Sequence, residues 1–280
     1  MFITDEEIGR LISEDVPYFD LTSHALGIGR ERGQIEYFTR GNIVICGTEE
    51  AARIFRYLGI ETKNCTPSGQ KAAAGSVLIT GTGAAEQLLM AWKAAQNILD
   101  HLSGIATLTR HMVEEARKYN PRIAILTTRK GFPGTKKLAV KATLAGGAVP
   151  HRLGISETIL IFKQHLNFIG GAEGLIKKMP ALKGECCEKK ILVEAESYDE
   201  ARQYCRAGAD GIQFDKLPPE ALGEAAKLLK KEFPGVTLLA AGGIKPENAG
   251  AYVKTQIDGI VTTSLFNAPP VDIGVRINPV

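Results

Sequence analysis

No run of apolar residues in this sequence reaches the roughly 20 positions that a membrane-spanning helix needs. The opening "MFITDEEIGRLISED" has no basic start and carries acids where the apolar part of a secretion signal would lie. A cytoplasmic protein is therefore expected. Net charge is also scarce, at +3 over 280 residues, which excludes an argument for nucleic acid or a membrane surface as partner. The five cysteines, Cys46, Cys65, Cys186, Cys187 and Cys205, are odd in number and lack framework spacing, so a disulfide scaffold is excluded. No CxxC spacing occurs, and the adjacent Cys186 and Cys187 offer poor metal geometry, so reduced thiols are expected. Low-complexity linkers and solenoid-length repeats are absent too. What remains is a globular composition, 44% hydrophobic and 23% charged, long enough for one large domain or two modest ones.

The first third mixes strands and helices irregularly. Thr4 and Glu7 form a capping-box pattern that predicts a short helix. "GQIEYFTRGNIVIC" alternates and predicts strands, and Thr48 is expected to cap a helix "EEAARIFRYLG" that Gly59 ends. A strand "SVLITGTG" and a helix from Ala84 to His101 follow. Residues 1–103 are therefore expected to form an α+β domain of their own. From about Ser103 the rhythm changes. Six apolar runs, "RIAILTT", "ETILIF", "KILVEAES", "DGIQFD", "VTLLAAGG" and "DGIVTTS", alternate with helical runs. That pattern predicts an α/β fold with a parallel sheet closed or nearly closed into a barrel over residues 104–266.

In such barrels chemistry sits at the carboxyl ends of the strands. The polar candidates fall there: Arg129 and Lys130, Lys163 to His165, Glu194 to Glu196, Asp215, Gly242 and Gly243, and Thr262 to Ser264. Arg129, Lys130, His151 and Arg152 make a plausible anion pocket, because guanidinium forks match carboxylates and phosphates and lysine adds a point charge. Lys136 and Lys137, already inside a helix, read better as a solvated face. Glu194 and Asp215 end successive strands, and such a pair suits either a hydrated Mg²⁺ or an ion pair with the cations. The "AAGGI" turn, opening a helix at Lys245 and Pro246, and the neighbouring "TTS" turn predict a phosphate site. Trp92, on a helix, is expected in the core.

The stretches "EDVPYFDLTSHAL", "NILDHLSGIATLTRHMVEEAR", "TRKGFPGTKKLAVKATLAGGAVPHRLGI", "LVEAESYDEA", "GADGIQFDKL" and "AAGGIKPENAGAY" resemble, in order and spacing, the quinolinate phosphoribosyltransferase family. Within it the ModD branch, associated with molybdenum-transport operons, is the most similar. The resemblance implies an N-terminal domain, completed by the C-terminal tail 267–280, packed on an open α/β barrel. It implies a homodimer in which each N-terminal domain closes the partner's active site. It implies transfer of phosphoribosyl from phosphoribosyl pyrophosphate to quinolinate, with Mg²⁺ and release of pyrophosphate. Thr128, Arg129, Lys130, His151 and Arg152 would hold the acceptor, Glu194 and Asp215 the ribose and Mg²⁺, and Gly242, Gly243, Thr263 and Ser264 the 5′-phosphate.

The sequence departs from the family at four places. Lys93 stands where an arginine is usual, and Phe162 where a strand-end lysine is usual, with Lys163 one step on. Ala241 replaces a serine and Thr263 a glycine. A different acceptor is therefore an open alternative. So are a lyase using Lys163 as a Schiff-base amine, and a binder that kept the anion pocket without turnover.

Overall fold

The computed structural model describes residues 3–280; Met1 and Phe2, where the expected first domain begins, lie outside the described residues. In chain order the elements are α1 (Asp5–Ser13), α2 (Leu21–Leu26), β1 (Arg32–Thr39), β2 (Ile43–Val44), α3 (Thr48–Leu58), β3 (Glu61–Cys65), β4 (Lys71–Ala72), β5 (Val77–Ala84) and α4 (Ala85–Arg117). Then come β6 (Ala124–Thr127), α5 (Lys136–Gly146), β7 (Val149–Pro150), β8 (Ile159–Ile161), α6 (Lys163–Leu166), α7 (Gly171–Glu185), β9 (Ile191–Ala195) and α8 (Tyr198–Ala207). The chain ends with β10 (Gly211–Asp215), α9 (Pro219–Glu232), β11 (Thr237–Ala241), α10 (Pro246–Val253), β12 (Gly259–Thr262) and β13 (Ile273–Pro279). No helix of the described residues is long and apolar enough to cross a membrane.

The chain divides into two compact units. The first takes residues 3–110, 132–147 and 266–280. Its four-stranded antiparallel sheet has the order β13-β1-β5-β3, so the C-terminal strand pairs with β1. Strand β1 alternates strictly between buried and half-exposed, as a strand with one core face must. Its Tyr37 is fully buried and donates its hydroxyl to the Trp92 carbonyl, 3.0 Å away. Thr4 and Glu7 do form the reciprocal capping box of α1. Thr48, by contrast, does not cap α3. Gly47 takes the cap position, and the Thr48 hydroxyl is drawn off to the Thr66 carbonyl at 2.6 Å.

Helix α4 is one continuous run of 33 residues where the sequence pattern predicts two helices broken near Ser103. The residues that look like a break serve tertiary contacts instead. The Ser103 hydroxyl accepts the Cys46 N–H and donates to the Cys46 carbonyl. A Cβ on Gly104 would lie 2.2 Å from the Pro269 carbonyl oxygen, so the glycine admits a crossing backbone. Helix α5, which the pattern counts with the barrel, belongs to the first unit. There its half-buried Lys141 pairs with Glu49 at 2.7 Å and with the buried Glu50.

The second unit takes residues 111–131 and 148–265. It is a seven-stranded parallel sheet, order β7-β6-β12-β11-β10-β9-β8, with β7 and β8 as unpaired edges: an open half-barrel. The strand beyond the six expected is β7, only two residues long and too short to show a period. One sheet face carries a layer of Leu160, Leu192, Leu239, Ala241 and Val261, with Leu126 and Phe162 packed on it. At the amino ends of the strands two carboxylates act as staples. Asp258 accepts the Leu238 N–H and the Lys230 ammonium, both at 2.7 Å. Asp210 accepts the Ile191 N–H at 2.8 Å and pairs with Lys183. These two aspartates are structural.

Gly104→Ala should cost about 1–3 kcal/mol, because the added methyl meets backbone rather than a movable side chain. The check is the urea midpoint, which should fall with little change in slope; an unchanged midpoint would disprove the close-approach reading.

Candidate active site

Side chains alternate along a strand, so residues two apart share a face. Counting on from the leucine layer, the inner face at the carboxyl ends presents Thr128 after β6, Phe162 after β8, Glu194 on β9, Gln213 and Asp215 on β10, and Thr263 after β12. Two side-chain bonds cross this face. The Thr128 and Thr263 hydroxyls lie 2.8 Å apart. Gln213, in register with Glu194 on the adjacent strand, donates its amide to the Glu194 carboxylate at 3.1 Å.

Beside Thr128 stands the cationic group. The Lys130 N–H donates to the Thr128 hydroxyl at 3.1 Å, which turns the chain and exposes Arg129 and Lys130 at the strand end. The His151 N–H donates to the Thr127 carbonyl at 3.0 Å, which ties the end of β7 to the end of β6. His151 and Arg152 thereby join Arg129 and Lys130. Among the described residues none of the three long cations Arg129, Lys130 and Arg152 has a carboxylate at ion-pair distance. Instead they repel. Burial, and then the charge of Arg129, lowers the Arg152 guanidinium below its usual value. Burial, and then the charge of Arg152, lowers the His151 imidazole, which favours its neutral form. The Arg152 guanidinium sits 5.8 Å from the Phe162 ring centre, and the His165 ring stacks at 5.8 Å from the same ring.

On the carboxylate side, Glu194 is half-buried and pushed above its usual range. Burial is the larger cause and the negative charge of Asp215 the next. Lys130 pulls the other way, so the cationic and acidic groups already sense each other across the rim. Glu196 is exposed beyond the strand.

The expected phosphate turn is the one after β11. Gly242 and Gly243 have φ of 91° and 70°, in the left-handed region that glycine adopts without strain. A Cβ on Gly242 would strike Asp215 and Lys216, whereas one on Gly243 would meet nothing within 4 Å. The turn is braced by Asn248, whose side chain accepts the Lys245 N–H at 2.7 Å and donates to the Gly243 carbonyl at 3.1 Å. The Thr262 hydroxyl donates to the Ile244 carbonyl at 2.7 Å. Its single proton thus spent, it accepts both the hydroxyl and the N–H of Ser264. Ser264 therefore braces the turn and has no free donor for a phosphate, while Thr263 is held by Thr128. Gly243 is the open position.

Several expected residues stand apart. Lys163 opens α6, exposed, while Phe162 before it packs on the inner layer. Lys93 belongs to the first unit, where its ammonium is 3.1 Å from the Gln96 amide oxygen and 4.6 Å from the centre of the Trp92 ring. Trp92 packs on that unit's core, as expected. Lys137, also in the first unit, is exposed and pairs at the surface with Glu7 at 2.7 Å. Sequence reasoning missed Gln213, Asn248 and Lys216. The period of two, run back from Asp215, would have found Gln213.

A parallel half-barrel with clustered cations, paired acids and a glycine turn on one rim has the layout of an enzyme whose site lies at the carboxyl ends of its strands. The comparisons make the class specific. The model of the quinolinate phosphoribosyl transferase C-terminal domain matches residues 105–276, and that of its N-terminal domain matches residues 20–103. The chain belongs to this family and is a phosphoribosyltransferase of its type. It is 38% identical over 250 residues, 89% of this chain and 96% of the relative, to the ModD protein of Rhodobacter capsulatus, to which a pyrophosphorylase activity is ascribed. It is 31% identical, over 96% of this chain and 97% of the relative, to a Methanothermobacter thermautotrophicus protein to which carboxylating nicotinate-nucleotide pyrophosphorylase activity is ascribed. The crystal structure of NadC from Streptococcus pyogenes shares the fold, with a TM-score of 0.90 at 23% identity over 100% of this chain and 99% of that one.

Because the fold keeps Glu194 protonated to higher pH than the unfolded chain does, this group's contribution to stability falls as pH rises through its raised titration range. Asp215→Asn removes one cause of that shift. The variant should melt higher than the wild type at pH 7, and the difference should shrink as the pH falls and Glu194 takes up its proton. A difference independent of pH would disprove the repulsion.

Proposed function

We propose that this enzyme transfers phosphoribosyl from phosphoribosyl pyrophosphate to a small acceptor of the quinolinate type, releasing pyrophosphate. The observation that carries the reading is the division of one rim: unpaired cations at the ends of β6 and β7, the acids Glu194 and Asp215 at β9 and β10, and an open glycine turn after β11. A dianionic acceptor suits the first group and a sugar phosphate the last, and in strand order the glycine turn lies between the cations and the acids.

Transfer at the sugar's anomeric carbon passes through a cationic, oxocarbenium-like state, so it calls for positioning and for negative charge near the ribosyl centre rather than for a protein nucleophile. Glu194 and Asp215 supply that charge. Arg129 and Arg152 grip acceptor carboxylates, and neutral His151 can donate one hydrogen bond to them. Among the described residues no three metal-ligating side chains gather. Magnesium needs no such cage, since it holds one or two carboxylates and completes its shell with water and phosphate oxygens. Glu194 and Asp215, hard oxygen donors whose charges repel, fit that role, and the ion when bound would neutralise the pyrophosphate leaving group.

We also propose a homodimer, supported by the exposed apolar side chains Tyr18, Phe19, Leu21 and Leu26 on the first unit. Lys93 is then the residue each subunit would offer its partner's site. Five free thiols suit a cytoplasmic setting. A second reading concerns the acceptor. Phe162 puts an aromatic ring among the rim's polar groups, which favours an acceptor less acidic than quinolinate, one that molybdenum metabolism could supply to a ModD-like enzyme. A Schiff-base role for Lys163 is not favoured, because that lysine is exposed rather than desolvated.

The deciding assay supplies phosphoribosyl pyrophosphate, Mg²⁺ and quinolinate and follows pyrophosphate and nucleotide product. Arg129→Ala and Arg152→Ala should each raise the acceptor KM about tenfold to a hundredfold, the range of a charge-assisted contact, with the donor KM little changed. Unchanged acceptor KM in both would sink the assignment. Phe162→Lys should lower the quinolinate KM if the natural acceptor is less acidic; no improvement would favour quinolinate itself.

A further inference from the structure

Lys216 is the one residue other than glycine with positive φ among the described residues, at 57°. A lysine gains nothing locally from this conformation, which glycine or asparagine adopts more readily. Such an outlier persists only where surrounding structure enforces it. Here the Lys216 N–H donates to the Ala241 carbonyl at 2.8 Å, so the ends of β10 and β11 are tied at this point. The side chain then runs across the glycine turn: a Cβ on Gly242 would lie 2.5 Å from the Lys216 Cγ and 2.8 Å from its backbone nitrogen. Gly242 is thus glycine partly to make room for this lysine. The side chain is 79% exposed, and the ammonium stands 3.7 Å from Asp215, a loose surface pair. A pair of that kind contributes little to stability. Neither packing nor a strong ion pair accounts for a strained lysine at this place.

What the place offers is an anion. The Lys216 side chain crosses at Gly242, next in sequence to the open Gly243, and the first turn of α10 begins three residues on, at Pro246. We propose that Lys216 is a phosphate-binding residue of the donor site, taking the monoester phosphate of the ribosyl donor as it settles in the Gly242–Gly243 turn. The inference rests on the phosphoribosyl reading above. In the empty site the ammonium stays near Asp215. When phosphate arrives it swings to the phosphate oxygens, and Asp215 is left free to face the ribosyl centre. One residue thereby couples donor binding to exposure of the acid that the reaction uses.

The test is equilibrium binding of ribose 5-phosphate, without Mg²⁺, to the full-length wild type, Lys216→Met, Lys216→Arg and Lys216→Gly, with pyridine-2,3-dicarboxylate as the acceptor control. Lys216→Met should lose about tenfold in affinity for ribose 5-phosphate, the scale of one charge-assisted hydrogen bond, and less than about twofold for the dicarboxylate. Lys216→Arg should keep most of the affinity. Lys216→Gly should lose as much as Lys216→Met yet melt higher than wild type, since glycine relieves the φ strain. Wild-type affinity for ribose 5-phosphate in Lys216→Met or Lys216→Gly, or an equal loss for both ligands, overturns the proposal and leaves the transferase reading standing. Failure of the wild type itself to bind ribose 5-phosphate overturns both.

Discussion

Everything at this site depends on the two-residue period of the parallel strands. Because side chains alternate, each strand sends every second residue to the inner face, and curling of the sheet brings those residues together. One layer along the strands, that face is leucine, with Ala241 and Val261. One step further toward the carboxyl ends it is Thr128, Glu194, Asp215 and Thr263. The apolar layer fixes the register of the polar one. A slip of one residue would turn Leu192 and Glu194 together to the helix side of the sheet, so core packing enforces the geometry of the chemistry.

The two ends of the barrel show how differently the same residue type is used. Asp210 and Asp258, at the amino ends, accept backbone N–H groups and pair with lysines. At the carboxyl ends charges of like sign are held together. Beyond burial, which is the larger cause in both cases, Asp215 raises Glu194 and Arg129 lowers Arg152. Repulsions of this kind oppose folding and are relieved only by a ligand of complementary charge. Their placement on one rim, cations toward β7 and acids toward β9, gives the site its direction.

Much of this was legible in the sequence. The barrel strands, the acids and the glycine turn are visible because burial on both faces gives apolar runs and chemistry gathers where the runs stop. The capping box of Thr4 and Glu7 is legible because it is local. What was not legible depends on contacts distant in sequence. Ser103 and Gly104 look like a helix break only until Cys46 and Pro269 are known to touch them. Thr48 looks like a cap until Thr66 claims its hydroxyl. Helix α5 reads as a barrel helix because its pairing to Glu49 and Glu50 leaves no mark in its own pattern. Lys216 reads as an ordinary loop lysine, since its backbone angle is imposed by β11.

Phe162 shows how one strand position can set the character of the acceptor side. Its ring rests on the leucine layer, so it is fixed from below by packing. From that footing it reaches two groups of the rim. Arg152 lies 5.8 Å from the ring centre, close enough for the guanidinium to be attracted to the π face. His165 stacks on it, and its Nδ1 accepts the Phe162 N–H at 3.0 Å, which fixes the imidazole tautomer with the proton on Nε2. A charged side chain at 162 would repel or bind its neighbours; the aromatic ring orders them without adding charge. This part of the rim is thus built from cations that repel each other around an uncharged ring.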